Sequence, residues 1–281
     1  MDCHTVLNPS HSVVAVDLDE LDITDSGRVA DAIVGMRPDL VINCAAFTQV
    51  DACETKQDIA RKVNVDGPKN LAIAVSDTGG RLFHISTDYV FDGAKPVPGP
   101  YTEEDETGPL SIYGKTKLEG EAAVRSLCSR HVIIRTAWLY GIHGKNILKT
   151  FLRLALEKGY QPIKVVGDQF GSPTWSYRLA LQIEKIAQTD LQGTFHATAE
   201  GYCSWYELAV YYLGQMGVLH HVIPCSTTEY PTPAKRPANS ILENRRLKQA
   251  GVNVMAHWKD DVDRFVAAYR ERLMEEARMP K

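Results

Sequence analysis

Residues 81–93 read RLFHISTDYVFDG. The run opens on apolar residues and closes on Ser86, Thr87 and Asp88, so a strand here carries hydroxyls and a carboxyl to its own C-terminal end. Strands that are almost continuously apolar are buried on both faces, as in a parallel sheet. Working outward, comparable β-branched runs stand at 12–16, 40–45 and 131–136. Amphipathic patterns lie between them: 26–36 stopped by Pro38, 59–76 with an irregularity at Gly67-Pro68, and 113–127. Short strands alternating with longer helices are the signature of βαβ units. The fold class is therefore α/β, a doubly wound parallel sheet of the Rossmann type. Ligands of such sheets sit outside the carboxyl ends of the strands, which directs attention to residues 86–88.

Beyond Gly144 the rhythm changes. Helices are expected at 147–158, 175–187, 205–216 and 259–276, a strand at 163–166, and a polar, proline-containing stretch at 227–239. This divides the chain into a dinucleotide-binding domain over 1–146, to which 172–200 returns, and a smaller, mainly substrate-binding lobe over 147–281. With 44% hydrophobic and 23% charged residues in 281, there is apolar material for a sizeable core, which excludes disorder as the dominant state. A formal net charge of -4 offers no attraction for nucleic acid or an anionic membrane. The absence of an apolar run of about 18 residues and of a signal peptide leads us to expect a cytoplasmic protein. The six cysteines are scattered without close pairs, which fits free thiols better than a zinc site or a disulfide framework.

The sharpest local signal is Tyr113-Gly114-Lys115-Thr116-Lys117. Helical positions i and i+4 share a face, so the Tyr113 hydroxyl and the Lys117 ammonium can address one site. A free tyrosine titrates near about 10, and an adjacent cation lowers that value. Tyr113 is thereby a candidate general acid, able to exchange a proton with a carbonyl or alkoxide. The same spacing recurs at Tyr160 and Lys164, where Pro162 argues against a helix. An exposed helix with an aromatic anchor is the plainer alternative for Tyr113, and a turn with hydroxyl-bonded backbone is the alternative for Ser86 and Thr87.

The strings NCAAFTQVDACE (43–54), VNVDGPKNLA (63–72), HISTDYVFDG (84–93), PLSIYGKTKLEGE (109–121), RTAWLYG (135–141), DQFGSPTW (168–175), SWYELA (204–209) and YPTPAKRPANS (230–240) occur in this order. Together they resemble the dTDP-4-dehydrorhamnose reductases, a family of extended short-chain dehydrogenases, over nearly the whole chain. The resemblance implies reduction of a 4-keto sugar nucleotide by NADPH or NADH. It makes Tyr113 the proton donor to the keto oxygen and Lys117 the group that holds the nicotinamide ribose. Thr87 then completes the hydrogen bonds to the sugar oxygen, with Asp88 beside it, and Trp138 lies against the sugar ring. A core aromatic is the alternative for Trp138. Ala45, Ala46 and Thr48 match positions lining the pyrophosphate and nicotinamide ribose, and Asp22 and Ile23 match those flanking the adenine. Arg236 is suited to bidentate binding of the diphosphate, or is simply an exposed basic loop residue. The family also includes members that bind magnesium and form homodimers, but no ligand cluster in this sequence supports a metal. The run Glu103-Glu104-Asp105-Glu106 reads as a solvated loop.

Asp17 follows the 12–16 run, where an acidic group bonds the adenine ribose hydroxyls and disfavours a 2′-phosphate, which leans towards NADH. A Rossmann domain also opens with a strand and a glycine-rich turn, whereas residues 1–7 read as the end of a first helix. A start placed too late, or a truncation, is expected to weaken cofactor binding. Two other functions stay open: a related 4-keto-6-deoxysugar reductase, and a non-catalytic regulatory subunit of the same fold.

Overall fold

The computed structural model describes residues 2–279. Its first half contains α1 (Asp2–Leu7), α2 (Ser26–Met36), β1 (Leu40–Asn43), α3 (Val50–Thr55), α4 (Gln57–Arg61), α5 (Gly67–Thr78), β2 (Arg81–Thr87), α6 (Ile112–Leu127), β3 (His131–Thr136) and β4 (Leu139–Tyr140). The second half adds α7 (Ile147–Lys158), β5 (Pro162–Val166), β6 (Phe170–Gly171), β7 (Thr174–Trp175), α8 (Ser176–Ala187), β8 (Gly193–His196) and β9 (Cys203–Ser204). It closes with α9 (Trp205–Gln215), β10 (His221–Cys225), α10 (Arg245–Gln249) and α11 (Trp258–Arg278).

Local chemistry sets many of these boundaries. The Asp25 carboxylate caps α2 by accepting from the amides of Gly27 and Arg28, and the helix stops where Arg37 turns left-handed (φ 44°) before Pro38. Ser111 caps α6 through the Gly114 amide, which places Tyr113 in its first turn. The 59–76 pattern is not one helix. Residues Lys62–Asp66 form a π turn between α4 and α5, a form that recurs beside functional sites. There the Asn64 side chain is buried, bonding both backbone groups of Phe47 and the Thr116 hydroxyl of α6. A Cβ on Gly120 would collide with the Asn64 carbonyl oxygen, so glycine permits this close approach.

Strands β1, β2, β3 and β8 form one parallel sheet in that order. Val29, Ile33, Leu71, Val75, Leu82, Val124 and Ile133 fill one core. Phe83, Val132, Ile134, Leu179, Ile183 and Phe195 fill another, and each such side chain withdrawn from water contributes roughly 1.5–3 kcal/mol. A separate core, including Phe151, Leu152, Trp175, Leu208, Tyr212, Trp258 and Phe265, unites α7, α9 and α11 beside the parallel pair β5 and β10. The strand β8 was not expected from the sequence, and α8 packs on the sheet side with α1.

Two expectations are corrected. Residues 12–16 form no strand: they pair with nothing among the described residues, and Val14 is 69% exposed. An extended segment without a ladder partner satisfies its backbone with water, whatever its β propensity. The acidic run is also not wholly solvated, because Glu103 accepts from the amides of His196 and Arg246, and Asp105 from Thr102. No helix is long and apolar enough to cross a membrane among the described residues.

Candidate active site

The site grows from the carboxyl end of β2, whose side chains alternate between the two faces. His84 and Ser86 face α6: His84 meets Lys117, while the Ser86 hydroxyl donates to Glu121 at 2.6 Å. Thr87 ends the strand, accepts from the Tyr89 amide at 3.2 Å, and donates to Asp88 Oδ1 at 2.9 Å. Asp88 Oδ2 is buried without a hydrogen bond. Burial pushes this carboxyl up to about 6, only partly offset by hydroxyls including those of Ser240 and Thr87.

On α6, Tyr113 and Lys117 lie one turn apart and are buried. Tyr89 packs edge-on against Tyr113, with ring centroids 5.6 Å apart. Burial raises the Tyr113 phenol above its ordinary value, and the Thr87 hydroxyl acts in the opposite direction. The expected lowering by Lys117 is not found. That amine is turned into the sheet, donating to the Ile85 carbonyl at 2.7 Å, and burial pushes it down to about 8. Thr87, Asp88, Tyr113 and Lys117 are thus brought together, as the sequence leads one to expect. The decoy pair is not, since Tyr160 is 68% exposed and Lys164 lies on β5.

Ala45, Ala46 and Thr48 occupy the loop after β1, at the same edge of the sheet, with Ala45 and Thr48 exposed. Ile23 is anchored against Gly67 of α5, and its carbonyl accepts from Asn70. The Asp22 carboxylate accepts the Thr24 amide, which holds it below its usual range. Asp17 does not stand at a strand end, because no strand forms there. Its hydrogen bonds are local, to Glu20 and the Leu18 amide.

Trp138 lies two residues beyond β3, whose Thr136 is in register with Thr87. Its backbone is left-handed (φ 49°), and its indole stacks on Trp205 with ring centroids 3.3 Å apart. A Cβ on Gly171 would collide with that indole, so the ring is clasped from two sides. Arg236 is engaged rather than free: its fork meets Asp51 at 3.1 and 2.9 Å. Among the described residues no group of three His, Cys, Asp or Glu side chains could hold a metal.

The sequence reading missed Asn43, His84, Glu121 and Arg135. Glu121 is fully buried and takes two hydrogen bonds from Arg135, at 2.9 and 2.8 Å. A usable signal existed in the spacing Lys117 to Glu121 and in the alternation of His84 with Ser86.

Residues 3–271 match the family described as RmlD substrate binding domain. A dTDP-4-dehydrorhamnose reductase from Sinorhizobium fredii is 39% identical over 92% of this chain and 90% of its own length. The crystal structure of a dTDP-4-dehydrorhamnose reductase from Clostridium acetobutylicum is similar with a TM-score of 0.92 and 42% identity, covering 96% of this chain and 95% of that one. Another, from Bacillus anthracis in complex with NADP, is similar with a TM-score of 0.90 and 36% identity, covering 95% of each chain. Matches of this extent, on a chain that gathers Thr87, Tyr113 and Lys117 at one sheet edge, place it in the dTDP-4-dehydrorhamnose reductase family, that of the RmlD substrate binding domain.

Proposed function

We propose that this chain reduces the 4-keto group of dTDP-4-dehydro-L-rhamnose with NADPH or NADH, giving dTDP-L-rhamnose. The observation that carries the proposal is the convergence of Thr87, Tyr113 and Lys117 at the carboxyl end of β2 in a member of this family. The residues present suit the nicotinamide-ribose end of a dinucleotide. Exposed Ala45 and half-buried Ala46 let a ligand approach the backbone, and the Lys117 amine, which gives one N–H to the Ile85 carbonyl, has a further N–H for the ribose.

When bound, the reduced nicotinamide supplies hydride to the sugar C4. Tyr113 supplies the proton. Its raised pKa keeps it protonated at neutral pH, and an alkoxide is the stronger base, so transfer from the phenol to the sugar oxygen is favourable. Thr87 is held by the Tyr89 amide and gives its one hydroxyl proton to Asp88, so it donates a second hydrogen bond to that oxygen only by turning the proton away from Asp88. Trp138, clasped by Trp205, offers a flat apolar surface to the sugar ring. Arg236 takes a diphosphate oxygen only by sharing or exchanging Asp51. The work belongs in the cytosol, in keeping with six cysteines that are all free.

The test is oxidation of reduced nicotinamide with the keto sugar nucleotide generated in place. Tyr113→Phe is expected to lower kcat by about 10²–10⁴-fold while leaving the affinity for dTDP unchanged. A phenylalanine variant that keeps the wild-type rate removes Tyr113 from the chemistry.

A further inference from the structure

Beneath Lys117 lies a buried chain of polar groups that the proposed reaction does not use. Asn43 ends β1 and is in register with His84 on β2. The Asn43 amide oxygen accepts from the Ala45 backbone N–H at 3.0 Å. A backbone N–H can be accepted only by the oxygen of that amide, so its NH₂ group is the part that faces His84 Nδ1, at 3.1 Å. Asn43 therefore donates, and His84 Nδ1 must hold a lone pair. His84 is fully buried, and burial followed by the charge of Lys117 holds it well below its ordinary range, so the ring is neutral. Its single proton then resides on Nε2, which points at the Lys117 amine 3.5 Å away.

We propose that Asn43 and His84 form a positioning pair that fixes the imidazole proton on Nε2 and thereby aims and tunes the Lys117 amine. An N–H has no lone pair to give an ammonium, so the ring cannot accept from charged Lys117. It can donate to the neutral amine, while the Ile85 carbonyl accepts from that amine at 2.7 Å. The pair thus turns the amine towards Ile85 and favours loss of its proton. The other groups facing Lys117 are Glu121 on its own helix, itself held by Arg135 of β3, and the Cys44 thiol after β1. Both of those act in the opposite direction, while burial, the largest influence, acts in the same direction as the His84 N–H.

The direct measurement is long-range ¹H–¹⁵N NMR of the histidine rings in the full chain, with His84 assigned by the resonance lost in His84→Gln. Wild-type protein is expected to show a neutral ring protonated on Nε2 throughout the neutral pH range. A ring protonated on Nδ1, or an imidazolium, overturns the proposal without need of a further variant. Asn43→Asp replaces the donor with a carboxylate that can only accept. The proton should move to Nδ1, and the ¹⁵Nζ titration of Lys117 should rise by about one pH unit. A folded Asn43→Asp protein whose ring and Lys117 titration are both unchanged also refutes the pairing. Any effect on turnover rests on the proposed reductase role of Lys117, which is tested separately by Lys117→Met. A methionine variant that turns over at the wild-type rate sinks that role and leaves the NMR result standing.

Discussion

Removing the Glu121 carboxylate by Glu121→Ala should destabilise the protein severely. Glu121 has no exposure and accepts from Ser86 at 2.6 Å and from Arg135 at 2.9 and 2.8 Å. Arg135 is 4% exposed, and one of its terminal nitrogens already lacks a partner. Deleting the acid strands a buried guanidinium, which costs about 3–5 kcal/mol in comparable cases. The neighbouring Arg125, 3.6 Å from Glu121, loses the same partner but is half exposed and stays solvated, so it adds little to the cost. For a chain of this size the loss corresponds to a fall of roughly 6–20 °C in Tm. Guanidinium titration and calorimetry would read it, with Glu121→Leu/Arg135→Met as the companion variant. If uncompensated charge is the cause, the apolar pair should recover most of the loss, because a desolvated ion pair gains little over well-packed apolar groups. A loss below about 1 kcal/mol in Glu121→Ala, or a double variant worse than the single, would refute the reasoning.

The buried Asp88 makes stability depend on pH. Its carboxyl is raised from 3.8 to about 6 in the fold, so the folded state binds a proton that the unfolded chain releases. Stability is therefore greatest below 3.8 for this group and falls as pH rises to about 6, by on the order of 3 kcal/mol. Asp88→Asn should flatten that slope in urea midpoints measured across the window; an unaltered slope assigns it elsewhere. Trp205→Ala should release Trp138, raising KM for the nucleotide sugar several-fold with a smaller change in kcat, and unchanged kinetics would remove Trp205 from the site. Asp51→Ala should alter stability by less than about 1 kcal/mol, since the pair is partly exposed, and should tighten dTDP binding if Arg236 takes phosphate. Unchanged dTDP affinity would argue against that role.

Much of the fold is written locally. The stop of the helix 26–36 at Pro38 is readable from neighbours in the chain, while the structure adds the Asp25 cap and the left-handed Arg37. Tyr113 and Lys117 share a face because helical spacing dictates it, and the apolar strand before Thr87 carries that residue to the sheet edge. The strands 12–16 and 193–196 were misread in opposite directions, and the cause is the same. An extended run becomes a strand only when a second strand pairs with its backbone groups, and residues distant in sequence decide whether one is there.

Residue spacing along the chain thus determined which side chains share a helix face and which end of a strand carries the hydroxyls. Tertiary structure alone decided that Lys117 turns to Ile85 rather than acting on Tyr113, that Arg236 is held by Asp51, and that Asn43 sets the proton on His84. Periodicity is a property of neighbours a few residues apart. Charge, protonation and hydrogen-bond direction depend on burial and on partners brought close only when separate elements pack, and no local pattern encodes them.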